Sequence, residues 1–385
     1  MSKFTGWEYG PAGKRSGNRQ PKRVKSISRT AGNAPARKEK AKRVFALNPI
    51  LLVGFPAVGD FVRCHSAIRI LAERFPERPI DVVTSPGNVS FARFMPHVRK
   101  AWALKKRHMQ LGLAERRDLI RELRKQNYGT AYLMTSTIKA ALIPFLAGIP
   151  ERIGYPQELQ FGLVNRLPAD WLRHLWAFGP RKTRLYEEVC SIATLGAKPA
   201  NVDWPAPQLV IPGAELDEWR SRAGVEAGTP ALAIFTGDMT SPRSWPMGRF
   251  ISIAKDYCSR GWAVWIVGGP REHDAANRIR AEVPQAIDFT TTPLIDVMYQ
   301  LGASALFLGV NGGMSHAAAA LNIPCVQIFG SNLSYVHGPV NDHVRYLEPP
   351  ISTPSWIEDT SGVSEERVRE ALAAAFAEPR RPPGA

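Results

Sequence analysis

The sequence predicts two doubly wound α/β domains facing each other across a cleft. Short, continuously apolar runs alternate with amphipathic stretches at helical spacing. That is the pattern of parallel strands buried on both faces and joined by crossover helices. The alternation breaks once, in a proline-punctuated stretch from Trp204 to Gly213, and then restarts. The length, 385 residues, also calls for more than one domain at about 100–200 residues each.

The first half reads in order. Ile50–Gly54 is a buried strand, and Asp60–Arg74 a helix with Val62, Ala67, Ile70 and Leu71 on one face. Ile80–Thr84 and Val98–Leu104 are strands. Arg116–Lys125 is a helix that turns Leu119, Ile120 and Leu123 inward. Ala131–Met134 is a strand, followed by a helix over Lys139–Leu146. Beyond the proline stretch, the strands are Ala231–Phe235, Ala263–Val267, Ala305–Leu308 and Cys325–Phe329. The helices are Met247–Arg260, His273–Val283, Leu294–Gly302 and Met314–Leu321. A last amphipathic helix runs from a Ser364 cap, with Glu365 and Glu366 in its first turn, to Ala377. The expected boundaries are 1–43 for a basic arm, 44–205 and 206–355 for the two domains, and 356–385 for the terminal helix and tail.

Charge separates the arm from the body. The formal net charge is +16. Residues 1–49 hold 13 Lys and Arg against Glu8 and Glu39, leaving 37 basic against 32 acidic groups elsewhere. The first 43 residues have no apolar period and read as a disordered arm. The body is only mildly basic, which argues against a protein that coats nucleic acid. Cys64, Cys190, Cys258 and Cys325 form no C-x-x-C pair, so a zinc ribbon or disulfide scaffold is not expected and a reducing compartment is. The start lacks the apolar stretch of a secretory signal. No run approaches the ~18 residues needed to span a bilayer. The expectation is a cytoplasmic protein with no resident cofactor and no metal, since H-E-x-x-H, D-x-D and spaced His/Cys clusters are absent from the sequence.

Several common α/β chemistries fail on single residues. Gly54-Phe-Pro-Ala-Val-Gly59 has the glycine spacing of a P-loop, but Asp60 stands where the phosphate-binding Lys is required. No G-x-G-x-x-G follows the first strand, which disfavours a dinucleotide oxidoreductase. No G-x-S-x-G elbow is present either. What remains is a set of loops at strand ends, where open α/β sheets bind ligands. Asp60 opens the first helix, either as a cap or as a general base at the cleft. Asn311-Gly312-Gly313 opens the helix containing His316; free N–H groups and a dipole there suit a diphosphate. Gly268-Gly-Pro270 leads to Glu272, a possible acceptor for ribose hydroxyls or a solvated turn residue. Arg243 precedes Trp245-Pro246 and can neutralise a phosphate or simply face solvent.

Taken in order, these loops resemble glycosyltransferase family 9, the bacterial heptosyltransferases of lipopolysaccharide inner-core synthesis. The resemblance runs from about Asn48 to about Phe376. It rests on Val58-Gly59-Asp60, Lys139-Ala-Ala-Leu-Ile-Pro144, Ala147-Gly-Ile-Pro150, Arg152-Ile-Gly154 and Trp245-Pro246. It continues through Gly268-Gly-Pro270, Glu272-His273, His316-Ala-Ala-Ala-Ala320, Pro324 and Phe329-Gly330. The segment from Ser136 to Tyr155 is most similar to the heptosyltransferase II branch.

The resemblance implies a GT-B fold of two Rossmann-like domains, with a terminal helix returning to the first domain. It implies metal-independent, inverting transfer of a heptose from an ADP-activated sugar to a Kdo-lipid A type core. Asp60 matches the family's base. Thr236, Arg243, Glu272, Thr292, Asn311, Gly312, Gly313 and His316 match its donor-binding positions. Lys105, Lys106, Arg107 and Lys139 fall where relatives meet the phosphorylated acceptor. Arg243 replaces the family's usual Lys, and Asn311-Gly312 its usual Asp-Ser or Asp-Thr. Another nucleotide sugar therefore stays open as the donor. So does a nucleic-acid-associated scaffold with a decayed site, although no specific nucleic acid is expected. Two uses of the arm stay open, peripheral contact with an anionic inner membrane and a merely solvated tail.

Overall fold

Two parallel sheets organise the protein, and the order of their strands locates the site. The computed structural model describes residues 47–104, 113–158, 160–172, 184–197, 203–226, 228–241, 243–330, 334–350 and 359–378. The basic arm, Lys105, Lys106 and Arg107 lie outside the described residues.

The first lobe runs β1 (Ile50–Val53), α1 (Val58–Arg74), β2 (Ile80–Thr84), α2 (Pro86–Ala92), β3 (Val98–Ala103) and α3 (Leu113–Lys125). It continues through β4 (Thr130–Leu133), α4 (Ile138–Leu146), β5 (Glu151–Ile153) and α5 (Leu185–Thr194). Its five strands lie in the order β3-β2-β1-β4-β5, every pair parallel. The second lobe starts with α6 (Gly213–Ala223), β6 (Ala231–Phe235), α7 (Met247–Ser259), β7 (Ala263–Ile266), α8 (His273–Glu282) and β8 (Ile287–Asp288). It ends with α9 (Asp296–Ala303), β9 (Leu306–Val310), α10 (Gly313–Ala320), β10 (Cys325–Ile328), α11 (Ser334–His337), β11 (Val344–Leu347) and α12 (Glu365–Ala377). Its six strands lie in the order β11-β10-β9-β6-β7-β8, again all parallel.

The inner strands are buried along their whole length because helices cover both faces; β2 nonetheless carries Asp81, whose carboxylate is paired with Arg99. β1, β2, β6 and β9 are buried at every residue. The order of each sheet reverses once, at β1/β4 in the first and at β6/β9 in the second. Such switch points open a crevice beyond the carboxyl ends of the strands. The loops after β1 and β9 therefore both enter crevices; they lead into Asp60, in the first turn of α1, and into Asn311–Gly313 at the start of α10.

The proline stretch is an extended strap that touches both lobes. Val210 N–H donates to the Phe94 carbonyl at 2.8 Å, and Leu209 N–H to the Ala320 carbonyl at 2.8 Å. His65 Nδ1 on α1 accepts from Gln208 N–H at 2.9 Å.

The structure corrects one expectation. The terminal helix does not return to the first sheet; among the described residues α12 packs on β9, β10, β11 and α7. Its buried face, Val368, Leu372 and Ala375, joins the core of the second lobe. Phe376 sits edge-on to Trp262 at 4.8 Å. The approach is set just upstream, where Trp245 Nε1 donates to the Val363 carbonyl at 2.8 Å and Thr360 Oγ1 to the Ser244 carbonyl at 2.7 Å. Ser364 caps the helix as expected, accepting from Arg367 N–H. The four cysteines are free thiols. No described helix is long and apolar enough to cross a membrane.

Candidate active site

Asp60 lies in the first turn of α1, whose cap position is Ala57 and has no side-chain cap bond. Capping is therefore not its role. Its Oδ1 accepts from Arg63 Nη1 at 3.0 Å, one helical turn on, and its side chain remains 37% exposed. Arg63, by contrast, is 4% exposed. Its Nη2 meets His316 Nε2 at 2.9 Å and also donates to the His337 carbonyl. His316 belongs to α10 and His337 to α11, both in the second lobe.

The protonation of His316 follows from these partners. Burial, reinforced by the Arg63 charge and by His337, holds its pKa well below the usual histidine range. A guanidinium has only donors. Nε2 is therefore the acceptor, and the ring is neutral with its proton on Nδ1.

The entrances of α1 and α10 abut across the cleft. A Cβ on Gly59 would stand 2.6 Å from His316 Cδ2. A Cβ on Gly313 would stand 2.9 Å from the Val58 Cβ. Only glycine allows two helix entrances to approach this closely. Both entrances offer N–H groups and positive dipole ends to the same space.

The remaining predicted donor residues spread along the second sheet in strand order. Asn311, Gly312 and Gly313 follow β9 and are half-buried. Thr236 follows β6; it is fully buried and its hydroxyl donates to the Gly237 carbonyl at 3.2 Å. Arg243 is exposed in the same loop, and its N–H donates to Ser241 Oγ at 3.2 Å. Glu272 follows β7 at the cap position of α8, 8% exposed. It accepts from Gly269 N–H at 2.8 Å, and burial pushes its carboxyl pKa up. Thr292 follows β8; its hydroxyl donates to the Phe289 carbonyl at 2.7 Å and accepts from Gln300 Nε2 at 2.8 Å. At about 4.8 Å per strand, the loops from β9 to β8 span roughly 14 Å.

Of the predicted acceptor residues, Lys139 is exposed in the first turn of α4, and its carbonyl accepts from the buried Arg116. The structure thus brings Asp60, Asn311–Gly313 and His316 together and ranges Arg243, Glu272 and Thr292 beside them. Arg63 and the His337 carbonyl are the site groups that sequence reasoning missed. An Arg three residues after an Asp on a helix was a usable signal for the first. A backbone carbonyl on a four-residue helix leaves none. Among the described residues no cluster of three or more His, Cys, Asp or Glu side chains could hold a metal ion.

The family model for glycosyltransferase family 9 (heptosyltransferase) matches residues 116–354. The chain belongs to this family. Asp60 precedes the matched segment. The transferase is 28% identical over 306 residues to lipopolysaccharide heptosyltransferase 2 of Escherichia coli, covering 77% of this chain and 87% of that one. It is also 28% identical, over 311 residues, to the Salmonella typhimurium protein of the same name, with the same coverage. The solved structure of E. coli ADP-heptose lps heptosyltransferase II superposes with a TM-score of 0.73 at 25% identity, covering 85% of this chain and 98% of that one. The two-lobed architecture is accordingly the GT-B arrangement of this family, and the protein is a glycosyltransferase.

Proposed function

We propose that this transferase moves a heptose from ADP-heptose to the inner core of lipopolysaccharide, with inversion at the anomeric carbon. The observation that carries the reading is the order of groups along the second sheet. Helix N–H groups and Arg243 come first, then the buried carboxylate of Glu272, then Thr292. An extended nucleoside diphosphate presents phosphates, ribose and base in that same order.

Each group then has a task. The α10 entrance and Arg243 offset the negative charge that grows on the departing diphosphate. Glu272 accepts from ribose hydroxyls, and Thr292 lies beside the base. Asp60 takes the proton of the acceptor hydroxyl as its oxygen attacks the anomeric carbon from the face opposite the diphosphate. One displacement inverts that centre. Closure of the lobes keeps water from the donor. Lys139, with Lys105, Lys106 and Arg107, attracts the phosphorylated Kdo-lipid A type acceptor at the surface of the inner membrane, where the protein binds peripherally from the cytoplasmic side.

The test is a donor panel with detection of released nucleotide, run with and without deacylated lipopolysaccharide core. ADP release from ADP-heptose that requires the core is expected. No release from ADP-heptose with any acceptor, alongside release from another nucleotide sugar, would sink the donor assignment.

A further inference from the structure

Arg63 is the one guanidinium described above that joins the two lobes at the site. Its partners divide unevenly between them. Asp60 Oδ1, at 3.0 Å, belongs to its own helix. His316 Nε2, at 2.9 Å, and the His337 carbonyl belong to the second lobe. Burying a guanidinium is costly, and each N–H group that meets an acceptor offsets part of that cost. Two of these three acceptors stand against Arg63 only while the second lobe does. The neutral state of His316 matters here, because a protonated ring would have no lone pair to offer.

We propose that Arg63 is a positioning residue for the transfer step, one that fixes the Asp60 carboxylate only when His316 and the His337 carbonyl close against it. The inference rests on Asp60 being the base. When the lobes part, the guanidinium loses these two second-lobe acceptors, and the carboxylate loses the orientation they help to fix. When they close, one planar fork bridges α1 to α10 and α11, and Asp60 is set as the cleft is sealed. Base orientation is thereby tied to exclusion of water, and an open, hydrated site is poorly set for hydrolysis of the donor. Lysine, a point charge with one nitrogen, cannot span all three acceptors in this geometry.

Arg63→Met, Arg63→Lys, Asp60→Asn and the double variant Asp60→Asn/Arg63→Met separate the possibilities. Rates, donor KM, equilibrium ADP binding and melting temperature are measured for each. Arg63→Met should lower kcat by about 10–100-fold, the scale of a misplaced catalytic group, while ADP affinity stays within about threefold. Arg63→Lys should recover part of the loss. The double variant should be no slower than Asp60→Asn, because both changes remove the same function. A multiplicative loss in the double variant would overturn the proposal, as would an unchanged kcat in Arg63→Met while Asp60→Asn is inactive. Asp60→Asn turning over at the wild-type rate is a different result; it overturns the base assignment itself. Should Arg63→Met fail to fold, His316→Leu and His316→Gln test the same link from the other lobe. Leu should reproduce the loss of kcat, and Gln, whose amide oxygen can accept from Arg63, should recover part of it; equal rates for the two would count against the link.

Discussion

Arg63 Nη2 and His316 Nε2 stand 2.9 Å apart although 253 residues separate them in the chain. The contact needs an unprotonated imidazole, and a second histidine on the same lobe junction has the same requirement. His65 Nδ1 accepts from Gln208 N–H while its Nε2 meets the Pro96 carbonyl at 3.0 Å. Burial lowers the His65 pKa from 6.5 to about 4, and that of His316 well below 6.5.

The sign of the resulting pH dependence is fixed. Both groups bind protons more readily in the unfolded chain, so stability is fully present above about pH 6.5 and falls as pH drops below it. At pH 5.5 His65 should have lost about 1.4 kcal/mol of its contribution, and His316 should lose stability in the same direction. Urea unfolding at pH 7.5 and 5.5 measures this. His316→Gln should make that pH-dependent difference smaller.

Gly59 has a comparable role in holding the two entrances together. Its replacement by alanine puts a methyl 2.6 Å from the His316 ring. The ring is buried and bonded to Arg63, so it cannot swing aside without breaking the lobe contact. Gly59→Ala should lower transfer by at least about 10-fold through displacement of the reacting groups. Gly248→Ala is the matched control, since a Cβ there meets nothing within 4 Å inside α7. It should leave turnover unchanged and stabilise the protein by about 0.5–1 kcal/mol through helix propensity.

The inner strands were legible because helices cover both faces, so their runs are mostly apolar, with interruptions such as Asp81 and Gln327. The outer elements were not. β8 has only Ile287 and Asp288, and β11 is partly exposed, so neither carries an apolar run. α6 buries only Trp219, which leaves no helical period to read. The pattern of α12 revealed a buried face but not which sheet it meets. That choice depends on the Trp245–Val363 and Thr360–Ser244 bonds, which join residues more than a hundred positions apart. The site shows the same division. Asp60 and Asn311–Gly313 stood out as loop residues after apolar strands. Arg63 did not, because its value comes from acceptors on the other lobe.

Donor binding and transfer should separate by residue. Arg243 is exposed in the loop after β6, and a charge-assisted bond to a phosphate contributes about 1.5–3 kcal/mol. Arg243→Ala should weaken ADP binding by about 10–100-fold, with Arg243→Lys keeping more of the affinity. Asp60→Asn should bind ADP normally and lose transfer by about 10²-fold or more. Calorimetry for binding and a coupled assay for turnover check both. Equal effects of Asp60→Asn on both readouts would place that residue in donor binding instead.

The basic arm gives the last prediction. Residues 1–43 hold 13 Lys and Arg against two acids, and the residues proposed for catalysis all lie beyond them. A basic residue near an anionic bilayer contributes about 1 kcal/mol, an attraction screened by salt. A chain beginning at Val44 should therefore turn over a deacylated, soluble core at the full-length rate but lose most of its sedimentation with vesicles containing anionic phospholipid. Full-length protein should leave those vesicles as salt rises from 50 to 500 mM, a range chosen to span about an order of magnitude in ionic strength, and should not bind neutral ones. Undiminished sedimentation of the truncated chain would move the lipid contact onto the body, where Lys139 and the cations of α3 are the next surface to neutralise. Reduced turnover of the soluble core would instead give the arm a part in the reaction.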